Sequence, residues 1–281
     1  MNRNSFDRCG LASLDDLETD GWKACFEELE SSQAEFLARE DRFRSPSYPW
    51  PRDCLHNWSR AWEYPYVLHH LQTWRAQLPS GCFPLTMDLG SGVTFYPFFL
   101  ARKGYRVLAI DTDPVCGQDF TLACRALDAP PGRLSFRQGD ARAIPVEEHS
   151  VDAVYSISVL EHIPRPEQVI GEVARVLRHD GLFVVTIDVG LEDDFDVSPA
   201  VFSKLQLELD RFFVPAAPER SIHPRRLLTT ERGPFPLVPR RNVIRRIARG
   251  AKRSLQNRLG KGRGDPEYRL ACYGFAGTPR T

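Results

Sequence analysis

The feature that most constrains this chain is the run Leu85-Thr86-Met87-Asp88-Leu89-Gly90-Ser91-Gly92, answered by Arg106-Val107-Leu108-Ala109-Ile110-Asp111. An apolar strand that breaks into two close glycines, a helix, and a second apolar strand ending in a carboxylate form the βαβ unit that holds nucleoside-bearing cofactors. A dinucleotide site asks for a third glycine where Phe95 stands, and it would set a pyrophosphate beside the like charge of Asp88. S-Adenosylmethionine carries no phosphate. Its ammonium and sulfonium suit Asp88, and its ribose hydroxyls can donate to Asp111. The helix between the strands is predicted to start near Pro97 and stop at Gly104, with its first amides facing a carboxylate.

Further along, Asp113-Pro114 reads as an N-cap followed by proline at N1, Leu134–Gln138 as a third strand with Asp140 at its end, and Ala153–Ile157 as a fourth. Open α/β sheets bind ligands outside the carboxyl ends of their strands, so Asp88, Asp111, Asp140 and the segment after Ser156 are expected in one crevice. In this order, Asp88-Leu89-Gly90-Ser91-Gly92 resembles motif I of the class I S-adenosylmethionine-dependent methyltransferases, with a type 11-like domain. Gly139-Asp140-Ala141, Val151 to Ser156, Val159-Leu160-Glu161-His162-Ile163 and Leu177 to Thr186 resemble its later segments, over about residues 65 to 190. The resemblance implies a Rossmann-like α/β fold: a mostly parallel seven-stranded sheet with helices on both faces and the last strand antiparallel. It implies a cofactor site of Asp88, Gly90, Ser91, Gly92, Asp111, Thr112, Asp140, Ala141 and Ser156. His162 then stands where a base would take the proton of an acceptor hydroxyl, or where a side chain would simply contact the cofactor.

Three regions are expected: an acidic helical extension and proline-rich linker (1–56), the cofactor-binding core with a preceding lid helix (57–190), and an acceptor-side region (191–281). On the lid helix, Trp62, Tyr64 and Tyr66 either contact substrate or pack beneath the sheet edge. Asp188 opens an acidic loop, Glu192 to Asp196, suited to acceptor hydroxyls, a cationic acceptor or solvent. Residues 240–259 place Val243, Ile244, Ile247 and Leu255 at helical spacing among eight basic residues and no acid. Such a helix could lie on an anionic membrane, dock on the acidic N-terminal region, or, less favoured, track nucleic acid. Glu267–Phe275 reads as the closing strand.

Charge is balanced at 37 basic and 37 acidic residues, which gives no general attraction to polyanions. The seven cysteines show neither CxxC pairs nor ligand spacing with histidine, so reduced thiols and no metal are expected. No apolar run approaches a membrane span, and a cytoplasmic enzyme, at most peripheral on the inner membrane face, is the expectation. The expected reaction is O-methylation of a small molecule or a sugar, including a lipid-linked glycan precursor. Rival readings are an RNA or protein methyltransferase, for which no amide-nitrogen or catalytic-cysteine motif is seen, and a non-catalytic cofactor-binding partner protein.

Overall fold

The computed structural model describes residues 5–191, 197–237 and 270–280. The basic stretch 240–259, the acidic residues Glu192–Asp196 and the start of the expected closing strand lie outside them. After a two-residue strand β1 (Gly10–Leu11), α1 runs from Asp20 to Leu37, its first turn capped by Thr19, whose hydroxyl accepts from the Trp22 amide at 3.1 Å. The lid helix is α2 (Arg60–Arg75).

The core then alternates as the hydrophobic periods dictate: β2 (Leu85–Leu89), α3 (Tyr96–Arg102), β3 (Arg106–Asp111), α4 (Pro114–Ala126), β4 (Leu134–Gln138), β5 (Val151–Ile157), α5 (Glu167–Val176) and β6 (Leu177–Gly190). Asp113 caps α4 with Pro114 at its first position, and Ser198 caps α6 (Pro199–Phe212), both as the sequence predicts. Two strands follow, β7 (Phe213–Pro215) and β8 (Leu270–Pro279).

All eight strands join one sheet in the order β1-β8-β6-β5-β2-β3-β4, with β7 also on β8. The pairings from β4 through β6 are parallel, and β8 is antiparallel to β6, which is the expected plan. The sheet exceeds seven strands because the outer edge of β8 is shared by β1 and β7. Covering that edge removes a row of unpaired backbone groups. Leu177 to Gly181 was expected to turn before the fifth strand; instead β6 begins at Leu177, opposite Val151, and the intervening residues bulge out before Leu182 pairs with Ala153.

Side chains alternate across the sheet with period two. Met87, Leu89, Leu108, Ile110, Phe183 and Val185 pack against the α5–α6 layer. Val107, Ala109, Tyr155, Leu182, Val184 and Cys272 face α1, α2, α3 and α4. Helix α2 lies so close to β8 that a Cβ on Gly274 would come within 2.6 Å of the Trp62 ring and 2.7 Å of the Tyr66 ring. Only glycine fits there.

Candidate cofactor site

The carboxyl ends of β2, β3 and β5 open into a cavity of about 530 Å³. Its walls include Asp88, Gly90, Ser91, Gly92, Asp111, Thr112, Asp140 and Ala141, eight of the nine residues expected for the cofactor. The turn after β2 is held by its neighbour strand. The Gly90 and Ser91 amides donate to Ile110 O at 2.9 and 3.0 Å, and the Gly92 amide donates to Asp111 Oδ2 at 2.9 Å. Gly90 sits at φ +76°, where a Cβ would lie 2.4 Å from Val159 Cγ1, so both conformation and space require glycine.

Asp88 and Asp111 lack a basic partner among the described residues, whereas the cavity arginines are each paired with other acids. Arg60 is shared by Asp53 and Glu63, Arg142 clamps Asp140, and Arg52 reaches Glu40 at 2.9 Å. Burial pushes the Asp88 carboxyl up to about 8, and the charge of Asp111 adds to the rise. Arg142 hydrogen bonds hold Asp140 below the usual carboxylate range. A buried acid that is costly to ionise alone is suited to a ligand that brings a positive charge.

Ser156 is the exception among the expected cofactor residues. It is fully buried, its hydroxyl donates to Leu89 O at 3.0 Å, and it does not line the cavity; it ties β5 to β2. The next residues, Ile157, Ser158 and Val159, are the ones that reach the cavity, and His162 lies on its wall as expected. Ser158 holds a left-handed backbone, φ +48°, so the chain turns sharply as it leaves β5.

Of the two readings of Trp62 and Tyr66, core packing is the one the structure shows, and substrate contact is not. Their rings stack at 4.5 Å, Trp62 Nε1 donates to Asp16 Oδ2 at 2.7 Å, and the Tyr66 hydroxyl donates to Arg8 O at 3.1 Å. Neither lines the cavity; from the same helix Arg60 and Tyr64 do. Asp188 is likewise absent from the wall, and its carboxyl is buried beside Glu63 and Cys272.

The sequence reading took the proline-rich segment Ser45–Pro51 for a mere connector, but it forms the cavity roof. Tyr48 and Trp50 line it, and the Val93 amide donates to the Tyr48 hydroxyl at 2.9 Å. Arg44 stacks on the Tyr48 ring at 3.9 Å and donates to Val93 O at 2.9 Å. Two aromatics among prolines, ahead of a cofactor turn, were the available signal. Deeper in, Glu63 accepts from Ser158 Oγ at 2.6 Å, Thr186 Oγ1 at 2.7 Å and Arg60 Nη1 at 2.5 Å. Burial alone would raise its carboxyl, but Arg60 and the two hydroxyls bring it below the usual range.

Residues 87–185 match the family model described as a methyltransferase domain. An uncharacterized methyltransferase of Mycobacterium ulcerans is 33% identical over 105 residues, 37% of this chain and 39% of that protein. One from Mycobacterium leprae is 30% identical over 107 residues, 38% of each chain. The chain thus spans well under half the length of the curated relatives it matches. Among solved structures, a candidate sarcosine dimethylglycine methyltransferase from Galdieria sulphuraria superposes with a TM-score of 0.52 at 18% identity, over 76% of this chain and 83% of that one. That likeness extends the shared fold well beyond the matched segment.

Proposed function

We propose, from the match of residues 87–185 to the methyltransferase domain model, that the protein transfers the methyl group of S-adenosylmethionine to an oxygen of a small molecule or sugar. The observation that carries the cofactor is the pairing of two carboxyls without cationic partners, Asp88 and Asp111, across the glycine turn of one cavity. Asp111 would accept from the ribose hydroxyls, and Asp88 would face the cationic end. Bound there, S-adenosylmethionine supplies an electrophilic methyl group; the chain's own part is to align an acceptor and exclude water. A roof of Tyr48, Trp50 and Tyr64 over a cavity of about 530 Å³ favours a small acceptor over a macromolecular one. His162, on the same wall, is the side chain proposed to take the acceptor's proton.

The test is calorimetry with S-adenosylmethionine and with NAD on wild type and Asp111→Asn. Micromolar binding of the former only, weakened at least tenfold by the substitution, is expected. NAD binding, or no binding of S-adenosylmethionine by folded wild type, overturns the assignment. Release of S-adenosylhomocysteine with a panel of hydroxylated acceptors then separates an enzyme from a cofactor-binding partner protein.

A further inference from the structure

On the α2 side of the sheet, behind the cavity wall, the fold buries more acid than base. The two-residue period turns Thr186 toward α2, and Asp188 with it; across the antiparallel ladder Asp188 stands directly opposite Cys272. Glu63 comes down from α2 to meet them. One carboxylate oxygen of Glu63, one of Asp188 and the Cys272 Sγ all lie within 4.8 Å of one another.

Glu161 is a third carboxyl nearby, whose charge acts on Asp188 and Cys272. Asp188 Oδ1 is sealed from solvent and meets no hydrogen-bond partner among the described residues. The groups facing this pocket of charge are Asp53, Glu63, Glu161, Asp188 and Cys272, with Arg60 as their cation. Arg60 is already committed to Asp53 and Glu63. Buried carboxyls need either protons or a cation. Protons neutralise the charge, yet they leave Asp188 Oδ1 without a partner among the described residues. A metal ion would use it.

We propose that Glu63, Asp188 and Cys272 form a zinc site between α2 and the β6–β8 ladder. The donor set selects the ion: a thiolate beside carboxylates suits Zn²⁺, whereas Mg²⁺ and Ca²⁺ take oxygen ligands alone. Sequence spacing could not show this set, because its ligands come from positions 63, 188 and 272. The ion would tie α2 to both strands and, through Glu63, fix Ser158 and Arg60 on the cavity wall. The proposal stands apart from the methyl-transfer reading.

Zinc takes up a thiolate rather than a thiol, so its binding to Cys272 should release a proton. The experiment uses the full chain stripped with a chelator, titrated with Zn²⁺ by calorimetry and with Co²⁺ by absorption. Expected are one ion per chain, proton release and a thiolate-to-cobalt charge-transfer band. Cys272→Ser should abolish the band, and Asp188→Asn should weaken Zn²⁺ binding at least tenfold. Cys82→Ser, at an exposed cysteine, should change neither. No stoichiometric uptake by folded wild type, a band that survives Cys272→Ser, or unchanged Zn²⁺ affinity in folded Asp188→Asn overturns the site. Circular dichroism and S-adenosylmethionine binding on the same samples keep misfolding and the fate of the cofactor site separate from this outcome.

Discussion

Asp88 ends a strand that is paired on both sides, so its carboxyl is cut off from water by the very backbone that positions it. With its proton held up to about 8, the free protein carries Asp88 neutral at pH 7. A cationic ligand favours the carboxylate, so S-adenosylmethionine binding should release a proton and tighten by up to about tenfold per pH unit from 6 to 8, then level off. Calorimetry in buffers of different ionisation enthalpy reads the proton, and Asp88→Asn should flatten the slope. The linkage to folding has a definite sign. A carboxyl raised in the folded state contributes stability that is full below the ordinary range near 3.8 and is lost as pH rises through about 8. Asp88→Asn should therefore gain on wild type in urea midpoint above pH 8. At this scale the sequence was informative wherever the cavity-facing atom belonged to a residue fixed by a turn or strand end, as for Asp88 and Asp111. It was misleading at Ser156, whose hydroxyl is taken by Leu89 O, a contact between strands 67 residues apart in the chain.

The roof segment and α2 behave as a unit that the β-core holds by a few specific bonds. Tyr48 is the main one, since its hydroxyl accepts from the Val93 amide and its ring carries Arg44. Tyr48→Phe removes one buried acceptor and leaves that amide unpaired. We expect a loss of about 1–2 kcal/mol in urea unfolding and a several-fold weaker hold on S-adenosylmethionine; unchanged values for both would show that the roof does not depend on this bond. Helix geometry sets Trp62 and Tyr66 on one face and Tyr64 on another, since i and i+4 align and i+2 does not, although the sequence groups all three at the lid. Which face met the cavity depended on Gly274, more than 200 residues later, leaving room for the first two rings. The elements themselves were legible because their signals are local: the Asp113-Pro114 and Ser198-Pro199 starts and the apolar strands each declare themselves within a few residues. The roof was not, because its role is set by what lies under it.

Across the whole molecule, residues ahead of α1 belong to the main core rather than to an appendage. Phe6, Ala12 and Leu17 are buried with Trp62, Tyr66 and Cys272, and the Asp16 carboxyl takes both Arg8 and the Trp62 indole. Removal of the chain through Thr19 should cost roughly 4 kcal/mol or more, from lost apolar burial and from leaving the Trp62 N–H without a partner. A truncated protein with an unchanged urea midpoint would refute this. Sequence reading foresaw helices here that lean on the main domain; it did not foresee β1, because a two-residue strand has no pattern of its own and exists through its partner.

That partner is β8, and the pairing of Gly10 with Gly274 has a consequence for biosynthesis. The first strand emerges from the ribosome long before the strand it must pair with, and β6 likewise waits for β8 to cover its edge. Loops this long make closure slow. Until β8 is released, the nascent chain exposes the apolar sides of β6 and α2 to water or to chaperones, and a chain stopped by a premature codon before residue 270 would keep that sticky edge for good.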